Sequence, residues 1–456
     1  MKPIALRDIT AAIGVPHQGG ERMISDICTD TRTLVPGCLF VALTGENFDG
    51  HDYIAAALEK GAAFAVSHKD SPDPRVLRVA DTRLALLHIA GLYRRMINPK
   101  VAAVTGSVGK TTTKEMTARV LASTYKTLKT PANLNNEIGV SQTLFMLEED
   151  HTAAMLELGI DGPGQMSQMS VAAAPDISIV TGIGVAHLAQ LGSREGIREE
   201  KMHIRDGMQD GATLLINGDN DLLRDFADSR LRILRYGLEN SANDVKAENL
   251  REKYGKTGFM ITWEGNRYPA QIPAMGRHNV LNAVAAFTAG VHLGVEPEKA
   301  AKALETYKPE GMRQKAVKHA GYTVVEDCYN ASIDSVQAAL TTLGDMPCEG
   351  KKIAVLSDML ELGATELEDH REMGRFAAQC AIDVLLCTGE LSEQYAIGAT
   401  MEGLEARHYP DQDALLAGIL ATARPGDILW FKASRGPRLE IVMQRFYKAV
   451  DQNNGQ

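Results

Sequence analysis

The segment Val101-Ala102-Ala103-Val104-Thr105-Gly106-Ser107-Val108-Gly109-Lys110-Thr111-Thr112 holds the residue types best suited to chemistry. An apolar run enters a glycine loop that opens a helix, so backbone N–H groups and the helix dipole converge on an anion. Lys110 would reach the β- and γ-phosphates of a nucleotide, and Thr111 would ligate Mg²⁺. A plain strand-turn-helix is the alternative. The spacing is not that of GxxxxGK[ST]. Counted back from Gly109-Lys110, the first glycine would fall at Val104, and Thr105-Gly106 supplies the turn instead.

Other groups could work beside this loop. Glu157 ends an apolar strand, where a carboxylate at the carboxyl edge of a parallel sheet faces the binding crevice, although many such residues are only solvated charges. His187 follows the strand Ile177–Thr181 and is either a second Mg²⁺ ligand or a hydrogen-bonded structural histidine. Asn279 and Asn282 are three apart near a helix start and so share a face. Their amides suit adenine and ribose, while Asn279 could equally cap the helix. Periodicity makes Lys201, within Arg198-Glu199-Glu200-Lys201-Met202-His203, an ordinary solvated helix lysine.

The elements that would position these groups fall into three stretches of an α/β chain. Residues 1–98 are turn-rich, with Val35-Pro36-Gly37 and Phe48-Asp49-Gly50 between short apolar runs, and read as a small α/β module. Residues 99–313 alternate strand, glycine loop and long helix, then Ala153–Leu158, Ile177–Thr181 and Ala212–Ile216, which predicts a mostly parallel sheet covered by helices. Residues 314–456 restart the alternation at Tyr322–Glu326, Lys352–Leu356, Val384–Cys387 and Ile428–Lys432, which predicts a second doubly wound, Rossmann-like domain.

A chain of 456 residues suits two or three hydrophobic cores. The net charge of −10 argues against a sequence-independent grip on nucleic acid. Six scattered cysteines without a CxxC pair fit reduced thiols better than disulfides or zinc. There is no apolar run of membrane-spanning length and no secretory leader at Met1-Lys2-Pro3-Ile4, so a cytoplasmic location is expected.

The short T-G-S-x-G-K-T form of the loop resembles that of the Mur ligases and folylpolyglutamate synthetases, which shifts the expected chemistry to ATP-driven amide synthesis. Segments along nearly the whole chain resemble the Mur ligases, in particular the branch that adds D-alanyl-D-alanine. Thr29-Asp30-Thr31-Arg32 and Asp49-Gly50-His51-Asp52 are similar to its UDP-sugar module. Asn135-Asn136-Glu137-Ile138-Gly139, Glu157-Leu158-Gly159, Ala186-His187, Gly192-Ser193 and Lys201 follow in family order. So do Gly276-Arg277-His278-Asn279, Asp327-Cys328-Tyr329-Asn330, Asp358-Met359-Leu360 and Lys432-Ala433-Ser434-Arg435. Departures are Thr31 for serine, Gln165 for glutamate, Gly182 for asparagine, Ile333 for proline and Ser357 for glycine.

The resemblance implies two substrates, a UDP-N-acetylmuramoyl-tripeptide and D-Ala-D-Ala, joined through an acyl phosphate with ATP and two Mg²⁺ ions. It implies a monomer. It places Thr105 to Thr112, Asn279, Asn282, Arg313 and Asp327 at ATP, and Thr31, Arg32, Asn135, Asn136, Asn330, Asp358, Ser434 and Arg435 at the other substrates. Thr111, Glu157, His187 and Lys201 would hold metal, with Lys201 as a carbamate. Lys110, Glu157, His187 and Lys201 would carry catalysis. A sister ligase adding another amino acid is the nearest competing expectation, and a phosphate-loop kinase or switch is the competitor from another class.

Overall fold

The computed structural model describes the chain apart from residues 17–20, 46, 187, 254, 455 and 456, and the side chains of 189, 453 and 454. Among the described residues the central sheet has nine strands. Their order is Asn266–Ile272, Lys256–Trp263, Val245–Lys253, Arg232–Gly237, Thr213–Asn217, Ile177–Val180, Lys100–Thr105, Ala153–Glu157 and Thr127–Lys129. All neighbours run parallel except the last two pairings toward Asn266–Ile272, which are antiparallel.

Lys100–Thr105 is the strand at which the order reverses. The chain next builds Thr127–Lys129 and Ala153–Glu157 on one side of it, then Ile177–Val180 and Thr213–Asn217 on the other. Ligands bind at such a switch point, beyond the carboxyl ends of the strands. Val101 to Thr105 are all buried, as expected for a strand covered by helices on both faces. The glycine loop therefore emerges between the ends of two neighbours, next to Glu157 and Thr181.

The C-terminal sheet runs Lys315–His319, Tyr322–Asp327, Ile428–Lys432, Lys352–Leu356, Val384–Thr388 and Glu405–Tyr409, and only its first pairing is antiparallel. Returning last, Ile428–Lys432 inserts between Tyr322–Asp327 and Lys352–Leu356, so the ends carrying Asp327, Lys432 and Asp358 lie side by side. This is the doubly wound arrangement expected from the sequence.

The first stretch forms a four-stranded parallel sheet, Ile27–Cys28, Leu39–Val41, Phe64–Ser67 and Val76–Arg78, and a two-stranded pairing of Ile4–Ala5 with Met23–Ile24. Its helix Thr82–Ile97 packs against Glu137–Phe145 and Gln165–Ala173 of the central region. One continuous apolar interior accordingly contains Leu39 and Val66 together with Val101 and Leu156. The C-terminal sheet has interiors of its own on its two faces.

Candidate active site

A cavity of about 400 Å³ opens where the central and C-terminal sheets face each other. From the central side it is lined by Ser107 to Thr112, Asn135, Glu157, Asn279 and Asn282, and from the other side by Arg313, Asp327 and Asn330. Two glycines let the loop run where it does. At Gly106, with φ +146°, a Cβ would lie 1.9 Å from Thr181 Oγ1, and at Gly109, with φ +84°, it would lie 2.6 Å from Asn282 Oδ1. Thr181 fixes the loop from outside by donating to the Val108 carbonyl at 2.5 Å. Ser107 adds an N–H bond to the Gly182 carbonyl and accepts the Gly184 N–H, each at 2.9 Å.

Lys110 begins the helix Lys110–Ala122 and folds back over the loop, donating to the Gly106 carbonyl at 2.7 Å. Loss of hydration lowers its pKa, a state that an incoming polyphosphate would reverse. One residue on, the Thr111 hydroxyl donates to Glu157 Oε1 at 3.2 Å, and Asn135 Nδ2 donates to the same oxygen at 2.9 Å. Two oxygens bound to octahedral Mg²⁺ at right angles lie about 2.9 Å apart, so this pair fits the ion with little rearrangement. Glu157 Oε2 is buried and receives no hydrogen bond among the described residues.

Lys201 is not the solvated helix lysine that periodicity alone suggests. On the helix Arg194–Met202 it is fully buried, and its Nζ has no hydrogen-bond partner among the described residues. Burial, reinforced by the charge of Lys110, holds its pKa well below the usual lysine range. Its neighbour Glu200 faces elsewhere and accepts the Gly164 and Met166 N–H groups at 2.8 and 3.0 Å. His187 lies outside the described residues.

The opposite wall is built by the switch point of the C-terminal sheet. Asp327 is buried and pairs with Lys432 Nζ at 3.0 Å, while Arg313 stacks on Tyr329 with its guanidinium carbon 3.8 Å from the ring centre. Arg435 lies over the same ring at 5.6 Å. Asp334, at the start of the helix Ile333–Asp345, accepts the Val185 N–H at 3.3 Å and so joins the two sheets' loops. Burial raises its pKa.

Several expected residues stand differently from the rest. Asn282 accepts a hydrogen bond from Thr113 at 3.1 Å and braces the glycine loop, and Asn279 donates to the Met275 carbonyl and to Gln314 at 2.7 and 2.8 Å. Asn136 caps the helix Glu137–Phe145 by accepting the Gly139 N–H at 2.9 Å. Asp358 accepts from Ser392 Oγ at 2.5 Å and from the Glu390 and Leu391 N–H groups at 3.1 and 3.2 Å. Ser434 donates to the Ala331 carbonyl and accepts the Leu360 N–H. Neither Asp358 nor Ser434 lines the cavity. Thr31 and Arg32 lie away from it in the first module, where the Arg32 guanidinium holds the Asp30 carboxyl down at about 2. Gln165, at a position where glutamate was the expected residue, uses its amide oxygen as an acceptor for the Asp161 and Gly162 N–H groups.

Three family models cover most of the chain: the Mur ligase family catalytic domain over residues 23–101, the Mur ligase middle domain over 104–290, and the Mur ligase glutamate ligase domain over 312–435. The UDP-N-acetylmuramoyl-tripeptide–D-alanyl-D-alanine ligase of Bacillus subtilis is 37% identical over 431 residues, 93% of each chain. The chain belongs to the Mur ligase family.

The Escherichia coli ligase of the same name is 33% identical over 97% of this chain and 98% of its own. Among solved Mur ligases, MurF from Acinetobacter baumannii superposes with a TM-score of 0.89 at 29% identity, covering 98% of this chain and 99% of that one. The Thermotoga maritima MurF ligase in complex with ADP gives 0.84 at 26% identity, covering 94% and 98%. Within this Mur ligase frame, the residues that the sequence alone did not single out are Lys114, Asp334 and Gln314; Lys432 was noted only as part of a segment and not for its pairing with Asp327. Asp334 and Gln314 carry no local signal beyond polar side chains near a helix start and just before a strand.

Proposed function

We propose that this Mur ligase joins D-alanyl-D-alanine to UDP-N-acetylmuramoyl-tripeptide with ATP, giving a pentapeptide precursor of peptidoglycan, ADP and phosphate. The observation that carries the reading is the convergence of the glycine loop and Glu157 with Arg313 and Asn330 of the facing sheet on one cavity. A carboxylate oxygen is too poor a leaving group for amide formation. The tripeptide carboxylate therefore attacks the γ-phosphorus of ATP, ADP departs, and the dipeptide amine then displaces phosphate from the acyl carbon.

The chain's own groups divide that work. Lys110 leaves its loop carbonyls to neutralise phosphate oxygens, and the loop N–H groups orient them. Arg313 adds a second cation from the facing side. Thr111 and Glu157 are the groups that would hold Mg²⁺, with His187 and Lys201 toward a second ion; the bound metal would offset phosphate charge. A buried Lys201 amine with a lowered pKa and no hydrogen-bond partner among the described residues fits carbamate formation, in which the deprotonated Nζ bonds to the carbon of CO₂ and one proton is released. Thr31, Arg32 and Asn136 would meet the UDP-linked substrate, and Asn330, Asp358, Ser434 and Arg435 the amine side, with Asp358 and Ser434 acting through the loops they brace. The division at about residues 98 and 313, a monomeric state and a cytoplasmic location belong to the same proposal. Among the described residues no helix is long and apolar enough to cross a membrane.

Phosphate release assayed with UDP-N-acetylmuramoyl-tripeptide and D-Ala-D-Ala, each omitted in turn, tests the reading. Release requiring both supports it. Equal release without D-Ala-D-Ala, or with a single amino acid in its place, overturns it.

A further inference from the structure

Lys114 stands one helical turn beyond Lys110 and is completely buried. A buried lysine is sustained only by counter-charge and acceptors around it. Here the surroundings are specific. Its Nζ lies 3.5 Å from Glu157 Oε2 and 3.2 Å from Glu115 Oε1, and it donates to the Ala132 carbonyl at 3.1 Å. Glu115 in turn pairs with Lys129, which meets Glu310 at 2.5 Å on the stretch leading to Arg313.

Two of these contacts bear on the cavity. The oxygen of Glu157 not engaged by Thr111 and Asn135 is the one facing Lys114. Ala132 has φ +45°, an uncommon left-handed conformation for a residue with a side chain, and belongs to the turn that brings Asn133 and Asn135 to the cavity wall. One ammonium thus ties the strand-end carboxylate to the asparagine turn, by an ion pair to Glu157 Oε2 on one side and a hydrogen bond to the Ala132 carbonyl on the other, while Oε1 is held by Thr111 and Asn135.

The geometry points to Lys114 as a positioning residue: it sets the orientation of Glu157 and of the Asn133–Asn135 turn toward the divalent cation at the phosphate loop. It does not line the cavity. The inference rests on the proposed role of Glu157. Removing a group that orients a metal ligand lowers metal affinity by about 10- to 100-fold. A side chain serving only the fold would lower stability and leave metal affinity intact in whatever protein remained folded.

The test is Mn²⁺ binding to the full chain in the presence of ADP, read from the electron paramagnetic resonance of the free ion, together with melting temperature and circular dichroism. Glu157→Gln separates the two levels, since unchanged Mn²⁺ binding in that variant removes the role of Glu157 and this inference with it. Lys114→Met leaves Glu115 without its buried partner, so Lys114→Met/Glu115→Gln is measured beside it and removes one charge of each sign. The expected result is a folded double variant whose Mn²⁺ binding is about tenfold weaker or worse. Wild-type Mn²⁺ binding in that double variant, when Glu157→Gln is impaired, overturns the role of Lys114 and leaves that of Glu157 standing. A double variant that does not fold also overturns it, because the charge would then serve the fold.

Discussion

The Thr111 hydroxyl and the Glu157 carboxylate stand 3.2 Å apart, tying the first turn after the glycine loop to the end of the neighbouring strand. Thr111→Val keeps the shape of the side chain and removes the oxygen. Glu157 Oε1 then retains Asn135, so the fold should hold, with the melting temperature close to wild type. The Mg²⁺ concentration for half-maximal activity should rise tenfold or more. Wild-type Mg²⁺ dependence would exclude Thr111 as a metal ligand.

Lys110→Ala removes a cation that rests on loop carbonyls and lines the cavity. Turnover should fall by at least about a hundred- to thousand-fold, the usual loss for one preorganised electrostatic contact to a developing charge. Circular dichroism should be unchanged. ATP affinity should weaken in parallel, and near-normal product formation would contradict the loop's assignment to phosphate.

Lys201 makes a prediction about pH as well as rate. Its pKa in the folded chain is well below 10.5, so the unfolded chain binds the extra proton and stability rises with pH between the folded value and about 10.5. In CO₂-free buffer, Lys201→Met should be more stable than wild type near neutrality, and the gap should close as pH approaches the unfolded value. Denaturant unfolding at several pH values checks the sign. With CO₂ restored, Lys201→Ala should be nearly inactive, and added short carboxylates should recover some of the activity by standing in for a carbamate. Full activity in Lys201→Ala would remove the carbamate.

Asn282 distinguishes a loop brace from a base reader. Asn282→Ala deletes the acceptor of the Thr113 hydroxyl and should destabilise the chain by about 1–3 kcal/mol. It should raise KM for ATP while leaving the preference for ATP over GTP unchanged. A change in that preference without a loss of stability would return Asn282 to reading the base.

The chemistry-bearing loop and the parallel strands around it were legible because each rests on a local pattern, glycines at a strand–helix turn and continuous apolar runs. The antiparallel extension Val245–Lys253, Lys256–Trp263 and Asn266–Ile272 was not read from the sequence. Its signal was present: Glu264 and Gly265 both have positive φ between strands, and Phe259, Ile261 and Trp263 alternate toward the interior. The charged run Glu248 to Lys253 masks it, because the outer end of that strand is mostly exposed. Lys114 and Lys201 illustrate what no local pattern reveals. Both sit among charged helical neighbours as surface lysines do, and only the packing of distant elements buries them. At Asn136, Asn282 and Asp358 the structure adds capping and bracing hydrogen bonds that use the same polar atoms as ligand recognition, so the sequence alone does not separate the two uses.

The apolar interior shared by Leu39, Val66, Val101 and Leu156 has a consequence for how this chain can be divided. Severing it after Asn98 would split a single interior and leave both fragments with bare oil-like faces prone to clump. Severing it near Arg313 would separate bodies whose insides are each already filled. The rear third should therefore tolerate separation from the rest far better than the front module would.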